Sequence, residues 1–186
     1  MGADGARVLV VDDEEAVADA YALRLAEWYE TDVAYNGADA LEIAEDFDVI
    51  VLDRRMPDMS GDEVLARLRE RDATCRVIMV TAVDPVVDIV DLDFDDYLCK
   101  PVDSATLHAA IDLHLRLGAY DDDVRALLSL VATLDLLESK LSQLELDRDE
   151  AYVAACERRD DLARTLTDAV DDLHELVDAV ESVDRG

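Results

Sequence analysis

Lysine is almost missing from this chain. Of 17 basic residues only Lys100 and Lys140 are lysines, against 47 acidic residues, and the net charge is -30. Charge of one sign at this level makes a compact chain repel itself. Molar salt shortens the Debye length to about 3 Å and removes that repulsion, so the composition points to a protein kept hydrated at very high salt. Cysteine is also sparse: Cys75, Cys99 and Cys156 lie far apart and form no Cys-x-x-Cys pair, which leaves free thiols in a reducing cytoplasm. No apolar run reaches the ~20 residues that a membrane span requires. Residues 1–6 are small and polar and run straight into a strand, so no secretory signal is expected and the cytoplasm is the expected location. None of the three histidines, His108, His114 and His174, has a partner at metal-ligand spacing. Each is read as a satisfied or solvent-facing side chain, including His174 beside Glu175 in a helical stretch.

What is present is organised around Asp48-Val49-Ile50-Val51-Leu52-Asp53. A short continuous apolar run between polar residues suits a strand buried on both faces of a parallel sheet. Four more strands are expected: Arg7-Val8-Leu9-Val10-Val11, residues 31–35, Arg76-Val77-Ile78-Met79-Val80 and Tyr97-Leu98-Cys99. Helical periodicity lies between them: Val17, Tyr21, Leu25 and Trp28; Leu41, Ile43 and Ala44; and Val64, Leu65 and Leu68, opened by Ser60 and Glu63 at capping-box spacing. A last helix is expected over 103–117 with Leu107, Ile111, and His114 or Leu115 inward. Residues 85–92 leave room for a couple of turns at most, so a short or distorted helix is expected there. Alternating strands and helices with right-handed crossovers give a doubly wound five-stranded parallel sheet of the α/β class, flavodoxin-like, with strand order 2-1-3-4-5.

In such a sheet the chemistry sits outside the carboxyl ends of the strands. Asp12 and Asp13 follow the first strand, Asp53 ends the third, Thr81 follows the fourth and Lys100 the fifth. Order 2-1-3-4-5 puts the first and third strand ends side by side and crowds three carboxylates into one pocket. Mg²⁺, a hard cation held by one or two carboxylates plus water, resolves that crowding. The Lys100 ammonium and the Thr81 hydroxyl suit phosphoryl oxygens. Taken alone, Asp12-Asp13 reads equally well as a helix N-cap, and Lys100 as a surface charge; the conjunction at four strand ends is what is specific. A nucleotide binder of the same fold would need a Gly-, Ser- and Thr-rich loop after the first strand. Asp12-Asp13-Glu14-Glu15 would instead repel a phosphate there.

The motifs Val10-Val11-Asp12-Asp13-Glu14, Val51-Leu52-Asp53-Arg54-Arg55-Met56-Pro57-Asp58-Met59-Ser60-Gly61, Val80-Thr81-Ala82 and Asp96-Tyr97-Leu98-Cys99-Lys100-Pro101 stand in the order found in the receiver domains of two-component response regulators. Residues 6–118 closely resemble that family. The resemblance implies Asp53 as phosphoacceptor and Mg²⁺ held by Asp12, Asp13, Asp53 and the backbone carbonyl of Arg55. It also implies Thr81 as switch hydroxyl, Lys100 as phosphate partner and Tyr97 as rotating aromatic. The implied partner is a sensor histidine kinase. The implied chemistry is phosphotransfer and dephosphorylation catalysed by the chain itself, a phosphorelay component rather than an enzyme with a separate substrate.

Residues 119–186 contain no strand pattern and no proline. Val124, Leu127, Leu128, Val131, Leu134, Leu137, Leu141 and Leu144 trace one helical stripe. Leu162, Leu166, Ala169, Leu173, Leu176, Val180 and Val183 fall at heptad spacing. An intramolecular helical hairpin and a coiled-coil homodimer both satisfy these stripes. The segment has 7 basic and 19 acidic residues and no basic stripe, which disfavours direct nucleic-acid binding. In position, length, helical pattern and the opening Tyr120-Asp121 it resembles the HalX domain of receivers from salt-loving archaea. Its expected role is output or dimerisation, with direct transcriptional regulation or docking on a sensor kinase as the alternatives.

Overall fold

The computed structural model describes residues 5–167, 170 and 172–186. Five parallel strands, β1 (Arg7–Val11), β2 (Glu30–Ala34), β3 (Val49–Leu52), β4 (Arg76–Thr81) and β5 (Asp96–Cys99), form one sheet in the order β2-β1-β3-β4-β5. That is the expected order. All four residues of β3 are buried, as are Val8 to Val11 of β1 and Val77 to Val80 of β4. Apolar side chains on successive positions can be buried only where both faces of the sheet are covered. The cover comes from α1 (Glu15–Leu25), α2 (Gly37–Ile43), α3 (Gly61–Glu70) and α4 (Ser104–Leu117). Asn36 caps α2 by accepting the Asp39 N–H, and Ser60 with Glu63 makes the expected capping box at the start of α3. The first helix is shorter than its apolar spacing suggests: it stops at Leu25, and Trp28 lies in the turn that follows.

The connection from β4 to β5 holds no α-helix. Its only regular piece is a 3₁₀ segment, Val87–Asp91, in keeping with the short, distorted element expected there.

The chain divides into two compact units. One comprises residues 1–83, 93–116 and 186; the other comprises 84–92 and 117–185. The second unit therefore takes in a piece of the β4–β5 connection, which a single cut near Gly118 does not anticipate. It contains α5 (Asp122–Lys140), α6 (Gln143–Leu146), α7 (Glu150–Leu166) and α8 (Leu173–Glu181). Helix α5 is its axis. Val124, Leu127, Leu128, Leu130, Ala132, Thr133, Leu134, Leu136 and Leu137 are all buried on it, a face wider than one apolar stripe, because α7, α8 and the 3₁₀ segment all pack against it. Of the stripe expected from the sequence, Val124, Leu127, Leu128, Leu134 and Leu137 are buried and Val131 is half-buried; beyond them α5 ends at Lys140 and Leu144 is exposed. The heptad seam is corrected as well. It is not one helix, since α7 ends at Leu166 and α8 begins at Leu173; Ala169 of that seam lies outside the described residues. Leu166, Leu173 and Val180 are buried within the chain, so part of the spacing that resembles a two-chain seam serves packing on α5.

Candidate active site

The register of the sheet assembles the site. Val11 pairs with Leu52 across β1 and β3, so the next residues, Asp12 and Asp53, stand side by side. The Asp53 N–H donates to the Val11 carbonyl at 2.8 Å and fixes that alignment beyond the last strand residue. Thr81 pairs with Cys99 at the ends of β4 and β5, and the Lys100 N–H donates to the Thr81 carbonyl at 2.9 Å. Lys100 thus leaves the sheet two strands away from Asp53, and its flexible four-carbon stem spans the gap.

Its ammonium lies between the two carboxylates. Lys100 Nζ donates to Asp12 Oδ2 and to Asp53 Oδ1, both at 2.6 Å. The remaining oxygens are also engaged: Asp12 Oδ1 accepts the Glu14 N–H at 3.0 Å, and Asp53 Oδ2 accepts the Arg55 N–H at 2.6 Å. Asp12 and Asp53 are 3% and 7% exposed, so the pair is costly unless paired with a cation and hydrogen-bonded. One ammonium against two carboxylates leaves the cluster short of one positive charge. Burial pushes the Asp53 carboxyl above its ordinary range, against the opposing pull of Lys100. For Lys100 burial works against the charge, but the hydrogen bonds to Asp12 and Asp53 outweigh it and the ammonium is held more firmly protonated.

Gly61 allows the loop after Asp53 to close. A Cβ at that position would collide with the Asp53 carbonyl oxygen and crowd Arg54 Cα. The Gly61 N–H instead donates to the Arg54 carbonyl at 2.9 Å, folding the start of α3 back over the phosphoacceptor candidate.

The sequence-derived residues fall into two groups. Asp12, Asp53, Lys100 and the Arg55 N–H are joined directly. Asp13 is exposed, and so is the Arg55 side chain. The crowd of three carboxylates expected from the strand order is therefore two carboxylates bridged by Lys100. Among the described residues no group of three or more His, Cys, Asp or Glu side chains is placed to hold a metal ion. The donor set nonetheless suits Mg²⁺, since Asp12 and Asp53 offer hard carboxylate oxygens and this ion needs only one or two carboxylates.

Thr81 and Tyr97 meet elsewhere. Both are 1% exposed. Thr81 Oγ1 accepts the Val83 N–H at 3.3 Å, and the Tyr97 hydroxyl donates to the Val83 carbonyl at 3.0 Å. Tyr97 also packs on Phe94, with ring centroids 5.7 Å apart. Burial pushes the Tyr97 phenol up, while the adjacent Arg54 pulls it back down.

Sequence reasoning gave Arg54 no partner. The guanidinium makes a bidentate pair with Asp62, with Nε 3.0 Å from Oδ1 and Nη2 3.0 Å from Oδ2. Burial opposes its charge, but Asp62 and the Tyr97 hydroxyl more than compensate and raise its pKa. The available signal was an acidic residue in the first turn of the next helix, eight positions on. The histidines behave as expected. His114 is buried against Asp96 at 3.0 Å, His108 stacks on Trp28 and bonds to the Tyr29 hydroxyl, and His174 is exposed.

Comparison with known proteins agrees with this geometry. The model of the response regulator receiver domain matches residues 8–112, and that of the HalX domain matches 116–184. A protein of Haloferax volcanii is 42% identical over 135 residues, which is 72% of this chain and 23% of that protein. The transcriptional regulatory protein CutR of Streptomyces coelicolor is 44% identical over 111 residues, 56% of this chain and 51% of CutR. The chain thus spans less than two thirds of either relative. Among solved structures, a CheY-like response regulator receiver domain protein from Methanospirillum hungatei is 29% identical with a TM-score of 0.57, covering 61% of this chain and 95% of that one. With the sheet order, the acidic strand ends and both family models in agreement, the chain belongs to the response regulator receiver family and carries a HalX domain after its receiver domain.

Proposed function

We propose that this response regulator is a phosphoacceptor switch: Asp53 takes a phosphoryl group from a phosphohistidine on a sensor histidine kinase, and the helical unit carries the output. The observation that supports it most is the bridge from Lys100 to Asp12 and Asp53, 2.6 Å on each side. A carboxylate oxygen of Asp53 attacks phosphorus, the phosphorus–nitrogen bond breaks, and the imidazole leaves with the bonding pair. The new bond is an acyl phosphate. The chain supplies position and charge rather than a covalent catalyst of its own. Lys100 already stands at the acceptor oxygen, so it meets the incoming phosphoryl oxygens without rearranging the sheet. The Arg55 N–H holds the other Asp53 oxygen and fixes the plane of attack. Mg²⁺ would be held by Asp12, Asp13, Asp53 and the Arg55 carbonyl, and when bound it supplies the missing positive charge of the cluster. The Thr81 hydroxyl is the donor available for a phosphoryl oxygen once the acyl phosphate forms.

The output acts on another protein or on a second copy of the chain in this reading, because residues 119–186 carry 19 acidic against 7 basic residues. The name of CutR places that relative in transcription; a role here in transcription would run through such a protein contact, in the cytoplasm. Among the described residues no helix is long and apolar enough to cross a membrane.

The reading is tested by incubating the chain with a labelled acyl-phosphate donor in molar salt, with Mg²⁺ or with chelator. Mg²⁺-dependent uptake of one hydroxylamine-labile phosphoryl group per chain is expected. Uptake that is absent, or that resists hydroxylamine, would reject it.

A further inference from the structure

The β4–β5 connection is divided between the two units, and the division falls at Val83. Residues up to Val83 belong to the receiver unit, and Asp84–Leu92 fold with the helical unit. The peptide groups of Val83 are held from the receiver side by both switch side chains: its N–H donates to Thr81 Oγ1 and its carbonyl accepts from the Tyr97 hydroxyl. Beyond it the backbone is stiff. Pro85 fixes its own φ and restricts Asp84 to extended conformations. Pro85 is buried, and Ile89 on the 3₁₀ segment is fully buried where that segment packs on α5 and α7.

We propose that Val83 is the transmission point of the switch: a change at Thr81 and Tyr97 moves the Val83 peptide, and the stiff Asp84-Pro85 step passes that movement along the backbone to α5 and α7. This rests on the reading of Asp53 as phosphoacceptor and goes beyond it. The receiver then needs no separate docking surface to address its helical domain, because nine residues of the receiver's own crossover, Asp84–Leu92, are built into that domain. It also accounts for the lack of an α-helix in this crossover. The 3₁₀ segment packs on α5 and α7.

The test compares the full chain with a variant carrying two glycines inserted between Asp84 and Pro85. Both are loaded with beryllofluoride and Mg²⁺ in molar salt, and amide exchange is followed in α5 and α7. The wild type is expected to change exchange several-fold in those helices on loading. The insertion should lose that change while still taking up a phosphoryl group from an acyl-phosphate donor. A wild-type-sized response in the insertion variant overturns the proposal, as does a loaded wild type whose helices do not respond. Failure of the wild type to take up a phosphoryl group would instead overturn the phosphoacceptor reading, and the relay with it. If the insertion variant has lost exchange protection before loading, Tyr97→Phe decides the matter. It keeps the ring and removes only the hydroxyl that Val83 accepts from. A reduced helical response in loaded Tyr97→Phe supports the relay, and an undiminished one overturns it.

Discussion

The two units handle charge differently. At the strand ends the receiver buries two carboxylates against a single ammonium, with every carboxylate oxygen engaged. The helical unit buries a leucine-rich face on α5 and carries exposed ion pairs such as Arg164–Asp161 on α7, while its buried Arg185 donates to the Val180 and Val183 carbonyls. Buried charge is expensive and is kept in place only by geometry, whereas a leucine face tolerates adjustment as long as volume is conserved. On the function proposed above, the receiver site serves as the electrostatic frame for phosphotransfer and the helical unit as the body that responds to it.

Substitutions can break this contrast, and the largest effect is expected at Asp53. Asp53→Asn keeps the shape and removes the nucleophile, so phosphoryl uptake should fall to background while the circular dichroism spectrum in molar salt stays that of the wild type. Lys100→Met comes next. It deletes the cation that bridges Asp12 and Asp53 and should slow phosphorylation by about 10²–10³-fold, the usual effect of losing one preorganised charge donor. Stopped-flow or quenched-label kinetics would read it.

In the helical unit the corresponding change is Leu137→Ala, at a fully buried position on α5. A cost of about 2–5 kcal/mol is expected from lost burial and the cavity left behind. Denaturant unfolding would measure the loss, with the initial phosphorylation rate little altered. An equal loss of phosphorylation rate would mean that the acceptor frame depends on the helical core and would erase the contrast. Ser60→Ala should cost about 1 kcal/mol by removing the capping box at the start of α3. The smallest effect belongs to Asp161→Ala, whose partner Arg164 is mostly exposed. No measurable change in the unfolding midpoint is expected at high salt, where surface pairs are screened.

The sheet was legible because its signal is local. The β3 run Val49-Ile50-Val51-Leu52 and the polar residues after each strand leave little choice of element or of end, and the parallel order follows from alternating helices. The presence of Asp12, Asp53 and Lys100 at one edge was legible for the same reason. Their mutual arrangement was not, since the reach of Lys100 across β4 to both carboxylates depends on side-chain conformation and on the balance of charge in the pocket. The Arg54–Asp62 pair was hidden because it joins a loop residue to a helix start that only Gly61 brings back. In the second unit, spacing alone could not tell a two-chain seam from several short helices packed on α5: a leucine every three or four residues serves either. Nor could it show that residues 84–92 fold with helices that begin about thirty positions later, because nothing local marks a segment for a distant partner.

The central claim is that Asp53 is the side chain that carries the phosphoryl group. The most direct test is to trap the acyl phosphate with borohydride after loading in molar salt with Mg²⁺, and then to sequence the peptides by mass spectrometry. The account predicts that Asp53, and no other aspartate, is converted to homoserine, and that the conversion vanishes in Asp53→Asn. Homoserine at Asp12 or Asp13, or a wild-type yield elsewhere in Asp53→Asn, would contradict it.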